Sequence, residues 1–193
     1  MLRFREAASS DITNIMALER ACFNTDTQEA ESTYLERIDA FPQGFIVMES
    51  ADRSNFSSRS VGEFLGAVSS EIWQYEPSIA RDSFTLGHSI KKQLKLAGDE
   101  LYISSIGIFP RHRKCGYGKL LFRELINRVH VLFPLVVKGI LLINEEWHGA
   151  RKIYANNGFH DAAVFDDFFT SDNGTKTNGI VMRNDDITKI IIG

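Results

Sequence analysis

The segment Ile106-Gly107-Ile108-Phe109-Pro110-Arg111-His112-Arg113-Lys114-Cys115-Gly116-Tyr117-Gly118-Lys119-Leu120-Leu121 concentrates cations, glycines and a helix start. It reads as a strand, a tight basic turn and the first turn of an amphipathic helix. Gly116 and Gly118 carry no Cβ, so an anion can approach the backbone closely. The helix start adds unpaired N–H groups and the positive end of the helix dipole. Arg111, Arg113, Lys114 and Lys119 place full charges around the same point. The chemistry this predicts is the binding of a pyrophosphate by backbone N–H groups and cations.

Two other phosphate loops do not fit. A P-loop needs a glycine at position 113, which is arginine, and Ser or Thr at position 120, which is leucine. A dinucleotide fingerprint needs a small residue at position 121, which is also leucine. What remains is Arg113-x-x-Gly116-x-Gly118, following Pro110 and preceding a Leu-rich helix. This resembles the acetyl-coenzyme A signature of the GNAT superfamily of N-acetyltransferases. A second run, Ala150-Arg151-Lys152-Ile153-Tyr154-Ala155-Asn156-Asn157-Gly158-Phe159, is similar to the segment near the end of GNAT domains, and the two occur in the family's order.

The resemblance implies acetyl transfer from acetyl-coenzyme A to a primary amine, with acetyl-coenzyme A as co-substrate and no metal. It implies that Ile106, Gly107 and Ile108 offer backbone groups to the pantetheine arm. Arg113, Lys114, Cys115, Gly116, Tyr117, Gly118 and Lys119 would cradle the pyrophosphate. Tyr154 matches the tyrosine that in many members protonates the departing thiolate. Cys115 is expected to contribute its backbone. Asn144 is a candidate for the cofactor amide, although the family's asparagine lies nearer the second run, where this chain has Trp147.

The helix–loop–helix at 10–41 and the approach Gly98-Asp99-Glu100-Leu101-Tyr102-Ile103-Ser104-Ser105 resemble the arylalkylamine (serotonin) N-acetyltransferase branch. That branch relays a proton through two histidines, and the matching positions here are Tyr102 and Ser104. They share one strand face by the period of two. Neither is a base near neutral pH, so Glu71 and His88 are the substitute base candidates. Direct attack by a neutral amine needs proximity, an oxyanion-stabilising N–H and proton removal.

An aromatic or alkyl amine is the first choice of acceptor. Phe23, Trp73, Tyr75, Tyr102, Trp147, Phe168 and Phe169 are candidates to face it, and Asp26 and Glu29 could attract its charge. A protein N-terminus or lysine is the enzyme alternative. A coenzyme A-binding sensor without turnover is the alternative of another class.

The elements that must position these groups alternate. Leu2–Glu6 reads as a strand. Ser10 is a candidate N-cap for a helix carried by Ile12, Ile15, Met16, Glu19 and Cys22-Phe23. Thr33 and Glu36 suggest a capping box for a second helix ending near Phe41. Phe45–Met48 and Val61–Trp73 read as strands joined by a polar hairpin loop at 51–60, with Gly62 and Gly66 marking bulges or close backbone approach. Residues 75–100 read as a long loop with a short helix at Ile90–Leu96. Leu101–Phe109 leads into the basic turn. The next helix presents Leu121, Leu125, Val129 and Leu132 and stops before Pro134. Gly139–Ile143 reads as a buried strand, Gly149–Asn156 as a short helix, and Phe159–Phe165 and Gly179–Met182 as strands around a turn at 170–178.

The expected architecture is an α/β (α+β) domain spanning 1–193. It has a central mixed, mostly antiparallel sheet of about seven strands, flanked by about four helices. Net charge is −3 and hydrophobic residues are 44%, which fits a globular enzyme and gives no electrostatic support for nucleic-acid binding. No apolar run is long enough to span a bilayer, so no membrane partner is expected. Two cysteines, Cys22 and Cys115, make neither a disulfide framework nor a metal cluster, and a cytoplasmic setting follows. Ile187, Ile190, Ile191 and Ile192 need cover from their own sheet or from a second copy in a homodimer.

Overall fold

The structure is a computed structural model and describes residues 1–50, 62–171 and 173–190. Seven strands form one sheet: β1 (Leu2–Glu6), β2 (Phe45–Ser50), β3 (Glu63–Trp73), β4 (Glu100–Ile108), β5 (Lys138–Asn144), β6 (His160–Thr170) and β7 (Lys176–Asn184). Their order is β1-β2-β3-β4-β5-β7-β6. Every pair is antiparallel except β4–β5, which is parallel. The expected strand count and mixed sheet are found. The helices are α1 (Ile12–Cys22), α2 (Glu31–Ala40), α3 (Ile90–Gln93), α4 (Tyr117–Leu132) and α5 (His148–Ala155). The short helix expected in the long 75–100 connection is α3, a single turn.

Strand alternation sorts the core onto two faces. In β2, Ile46 and Met48 face the stripe of α4 made by Leu121, Phe122, Leu125, Ile126 and Val129. Phe45 and Val47 face Ile15 and Leu18 of α1 and Tyr34 and Ile38 of α2. A third cluster, Trp73, Phe84, Tyr102, Ile140 and Val181, extends across β3, β4, β5 and β7. The 3.6-residue and 2-residue periods of the sequence therefore meet at one sheet with helices on both sides.

Local capping differs from expectation because tertiary partners compete for the same groups. Ser10 lies within a short turn at Ser9–Asp11, and Asp11 caps Ala8 N–H at 2.8 Å while pairing with Arg5. Thr33 sits inside α2, which starts at Glu31. Glu36 instead accepts from Ser89 Oγ at 3.0 Å and Ile90 N–H at 3.2 Å, so it caps α3 from across space. The short helix correspondingly ends at Gln93, not Leu96.

Gly66 allows close approach between strands: a Cβ there would collide with the Gly107 carbonyl. Ile187 and Ile190 are buried in the chain's own core. The expected loop at 51–60, Val61, Ile191 and Ile192 lie outside the described residues. Among the described residues, no helix is long and apolar enough to cross a membrane.

Candidate active site

The parallel pair β4–β5 is where the sheet opens. Its register runs from Glu100↔Lys138 to Ile103↔Leu141 and then stops. β4 continues to Ile108 beside β3, and β5 continues to Asn144 beside β7. Beyond Ile103 the two strands diverge, and the edge of β4 that faces β5 has no strand partner among the described residues. A bulge marks the same place: Ser69 pairs with Ser105 and Ser70 with Ile103, leaving Ser104 without an opposite residue on β3. The Ser104 hydroxyl donates to the Ser69 carbonyl at 3.0 Å.

A cavity of about 760 Å³ fills the opening. Its wall includes Tyr102 and Ser104–Ile108 of β4, Leu141–Ile143 of β5, the turn residues Arg113, Lys114 and Gly116, and Tyr117–Lys119 at the head of α4. Ala150, Ile153 and Tyr154 of α5 close another side. The site residues expected from the sequence thus share one space, with three exceptions. Cys115 is exposed and outside the wall, its thiol directed to the Arg113 carbonyl at 3.6 Å. Glu71 is wholly buried behind the wall. Asn144 is also behind it, donating to Thr177 Oγ1 at 2.7 Å and accepting from Glu146 N–H at 2.9 Å. Its side chain is committed to the fold, because the turn after β5 needs that cap.

The turn has the geometry of an anion nest. Lys114 and Gly116 both have positive φ, 64° and 79°, a backbone that directs successive N–H groups to one side. Gly116 is the N-cap of α4, with no side chain capping the helix start. The Leu120 N–H is the first to reach a helical acceptor, Gly116 O at 3.2 Å, so the N–H groups ahead of it lack one. A Cβ at Gly118 would meet only Ile108, at 3.9 Å, and one at Gly116 would meet nothing within 4 Å. Arg113 acts as a strut: its Nε donates to the Ile108 carbonyl at 3.2 Å, and its Nη2 lies 3.4 Å from Cys22 Sγ on α1. Arg111 and His112 are both drawn to Glu63, at 3.0 Å. Lys114 and Lys119 are the cations of the wall that remain to meet an anion.

Tyr154 is 4% exposed and packs edge-on to Phe122 at 5.7 Å. Its hydroxyl has no hydrogen-bond partner among the described residues, and burial pushes its pKa up. The ring therefore stays a proton donor throughout the neutral range.

The far end of the cavity is aromatic and acidic. Phe23, Trp147 and Phe169 form a contiguous row, with ring centroids 5.6 Å apart at each step. Tyr102 stacks on Trp73 at 4.0 Å and lies against Phe84. Tyr102, Phe23, Trp147 and Phe169 line the cavity; Trp73, Tyr75, Phe168 and Asp26 do not. Glu29 does, held by Arg37 through both guanidinium Nη atoms.

Behind this end lies the pair Glu71–His88. Glu71 accepts from Trp73 Nε1 at 2.9 Å and sits 2.8 Å from His88 Nε2 and 3.5 Å from Arg37 Nε. His88 Nδ1 lies 3.0 Å from the Thr85 carbonyl. A carbonyl only accepts, so Nδ1 carries a proton, and a carboxylate paired with Arg37 is suited to accept from Nε2 as well. Burial draws the imidazole pKa down, yet the Glu71 carboxylate and the Thr85 carbonyl outweigh it and leave the pKa raised. His88 thus has acceptors at both ring nitrogens and a raised pKa, which favours the imidazolium form. Glu71 acts on the cavity only through it.

Glu19 is the residue that sequence reasoning passed over. It was legible only as a charged member of the apolar stripe of α1. In the fold it is 4% exposed and lines the cavity. Oε2 accepts from the Tyr34 hydroxyl at 2.6 Å and Oε1 from Glu29 N–H at 2.9 Å. Burial raises its pKa against the lowering effect of those hydrogen bonds. No metal-holding group of three or more His, Cys, Asp or Glu occurs among the described residues.

Comparison with known proteins bears on the fold. No family model matches the chain. It is 31% identical over 87 residues to the ribosomal protein bS18-alanine N-acetyltransferase of Haemophilus influenzae. That match covers 44% of this chain and 56% of the relative, so the chain spans only about half the length of the curated protein it matches. Among solved structures, the loading GNATL domain of CurA from Lyngbya majuscula superposes with a TM-score of 0.76, covering 97% of this chain and 98% of that one at 14% identity. NAA60 of Arabidopsis thaliana in complex with acetyl-CoA superposes with a TM-score of 0.67, covering 95% and 97% at 18% identity. The fold is GNAT-like.

Proposed function

We propose that the protein is an acetyl-coenzyme A-dependent N-acetyltransferase acting on a primary amine. The observation that carries this reading is the continuity of one cavity. It joins an N–H-rich, lysine-flanked turn, an unpartnered strand edge, a buried tyrosine and an acidic aromatic chamber. A diphosphate suits the turn, and the amide groups of a pantetheine arm suit the free edge of β4 as a further strand would. The thioester then lies near the opening between β4 and β5. An amine entering from the chamber meets it directly, which converts a bimolecular encounter into an oriented one. The tetrahedral intermediate needs a donor for its oxyanion, and the bulge at Ser104, where β4 departs from regular pairing with β3, is the place on this wall for a backbone N–H to serve. Tyr154 supplies the proton that the thiolate needs as it leaves.

The acceptor is an amine carried on an apolar group, because the chamber is walled by Phe23, Trp147 and Phe169. A small aromatic or alkyl amine, as in the arylalkylamine branch, fits that wall. The α-amine of a protein is the second reading. The curated relative, by its name, acetylates an alanine of a ribosomal protein, and a peptide would enter the same end.

The test is acetyl-coenzyme A-dependent thiol release with phenethylamine, tryptamine, spermidine and short Ala- and Met-initiated peptides. Release with one class establishes transfer and selects the acceptor. Tight acetyl-coenzyme A binding with no release from any of them favours the coenzyme A sensor.

A further inference from the structure

The acidic chamber carries a charge count that the chain itself does not close. Three carboxylates sit around it: Glu19, Glu29 and Glu71. Two cations answer them. Arg37 grips Glu29 and lies beside Glu71, and His88 takes the other side of Glu71. Glu19 has no cation within 4.0 Å among the described residues; its partners are a phenol and a backbone N–H. Arg37 reaches it only as a more distant field, through the guanidinium that Glu29 holds. Arg113, from the turn after β4, is directed to the Ile108 carbonyl and to Cys22, which lies one helical turn along α1 from Glu19.

In both hydrogen bonds Glu19 is the acceptor, so its carboxylate form is hydrogen-bonded by neutral groups and has no cation against it among the described residues. A buried carboxylate without a cation is unfavourable, and the deficit is relieved when a cation joins it. Glu19 is also well placed for this. It faces the cavity from α1, whose neighbouring Leu18 packs at the Cβ position of Gly107 on β4.

Resting on the transferase reading above, we infer that Glu19 is the anchor for the acceptor's ammonium group, so that this site selects amines that arrive as cations on an apolar body. The charge brought by the acceptor completes the ion count, while the Phe23–Trp147–Phe169 row takes its apolar part. Neutral isosteres of the same shape leave Glu19 unanswered and bind weakly.

The experiment compares phenethylammonium with 2-phenylethanol by calorimetry on the full chain, with and without saturating coenzyme A. The two differ in charge and little in shape. Wild type is expected to prefer the ammonium by about tenfold or more, the scale of a charged hydrogen bond. Glu19→Gln is expected to bring the two within about twofold by loss of that same bond. A Glu19→Gln protein that keeps the full preference, or a wild type with none, overturns the inference.

A second readout needs no variant. In wild type the ¹³C resonance of the Glu19 carboxyl should move on adding phenethylammonium and not on adding 2-phenylethanol; equal response to both overturns the inference. Failure of the transferase reading shows separately, as absence of acetyl-coenzyme A-dependent thiol release with phenethylamine and the other acceptors.

Discussion

Tyr154 and His88 show how one cavity assigns different proton duties. Tyr154 has only apolar contacts, so burial alone acts on it and keeps its hydroxyl protonated. Tyr154→Phe should lower kcat by about a hundredfold, the range of a positioned proton donor, and leave acetyl-coenzyme A affinity unchanged by calorimetry. An unaltered kcat would remove Tyr154 from the mechanism. His88 gains a partner in Glu71, and its pKa is raised despite burial. A raised folded-state value means that the pair stabilises the fold fully below the unfolded value of about 6.5. The contribution is lost as pH rises through the folded value. Chemical denaturation should therefore show a wider stability gap between wild type and His88→Asn near pH 5.5 than near pH 9. A gap independent of pH would show that the ring is not held as an imidazolium.

At the scale of elements, the turn between β4 and α4 combines two demands that one sequence meets locally. Gly116 supplies the left-handed backbone, with φ 79°. Gly118 supplies room, because its missing side chain faces open space bounded by Ile108. Gly118→Val should hold thermal stability near that of wild type, since nothing in the protein is displaced, but weaken coenzyme A binding about tenfold or more through overlap with the diphosphate, a loss of close backbone approach. Equal affinity would move the diphosphate away from this turn. The helix boundaries of α2 and α3 make the opposite point. Thr33 and Glu36 satisfy a capping pattern on paper, yet Glu36 reaches Ser89 and Ile90 in the long connection. A local pattern gives way when a distant segment offers the same carboxylate better donors.

The whole molecule is organised around the parting of β4 and β5. α1 and α2 stand on one face of the sheet and α4 on the other, and the cavity passes between the strands. A ligand there bridges groups from α1, β4, β5, α4 and α5, so binding and folding are linked. At one hundred times its dissociation constant, acetyl-coenzyme A should stabilise the fold by about 2.7 kcal/mol. For a chain of this size that is a rise of roughly 5–10 °C in the melting midpoint. A midpoint unmoved at that concentration would mean that the ligand binds unfolded chain equally well, which a built cavity does not permit.

The sequence by itself determined what depends on neighbours along the chain. The glycine and lysine spacing at 113–119, the stripe of α4, the Tyr154 segment and the alternation of strands and helices are set by backbone freedom and by the 3.6- and 2-residue periods, which any reader of the residues can follow. Only the tertiary structure decided what depends on residues far apart. The strand parting exists because Ile103↔Leu141 is the last pair that both strands can make before each follows its antiparallel neighbour. The withdrawal of Asn144 and Glu71 behind the wall came from Thr177, Trp73 and Arg37, partners that no spacing announces. Glu19 looked like one charge on a helix stripe; burial beside Tyr34 and Glu29, without a cation of its own, is what makes it chemically distinctive. Burial and charge balance are sums over the whole fold, and they exist only once the chain has closed around them.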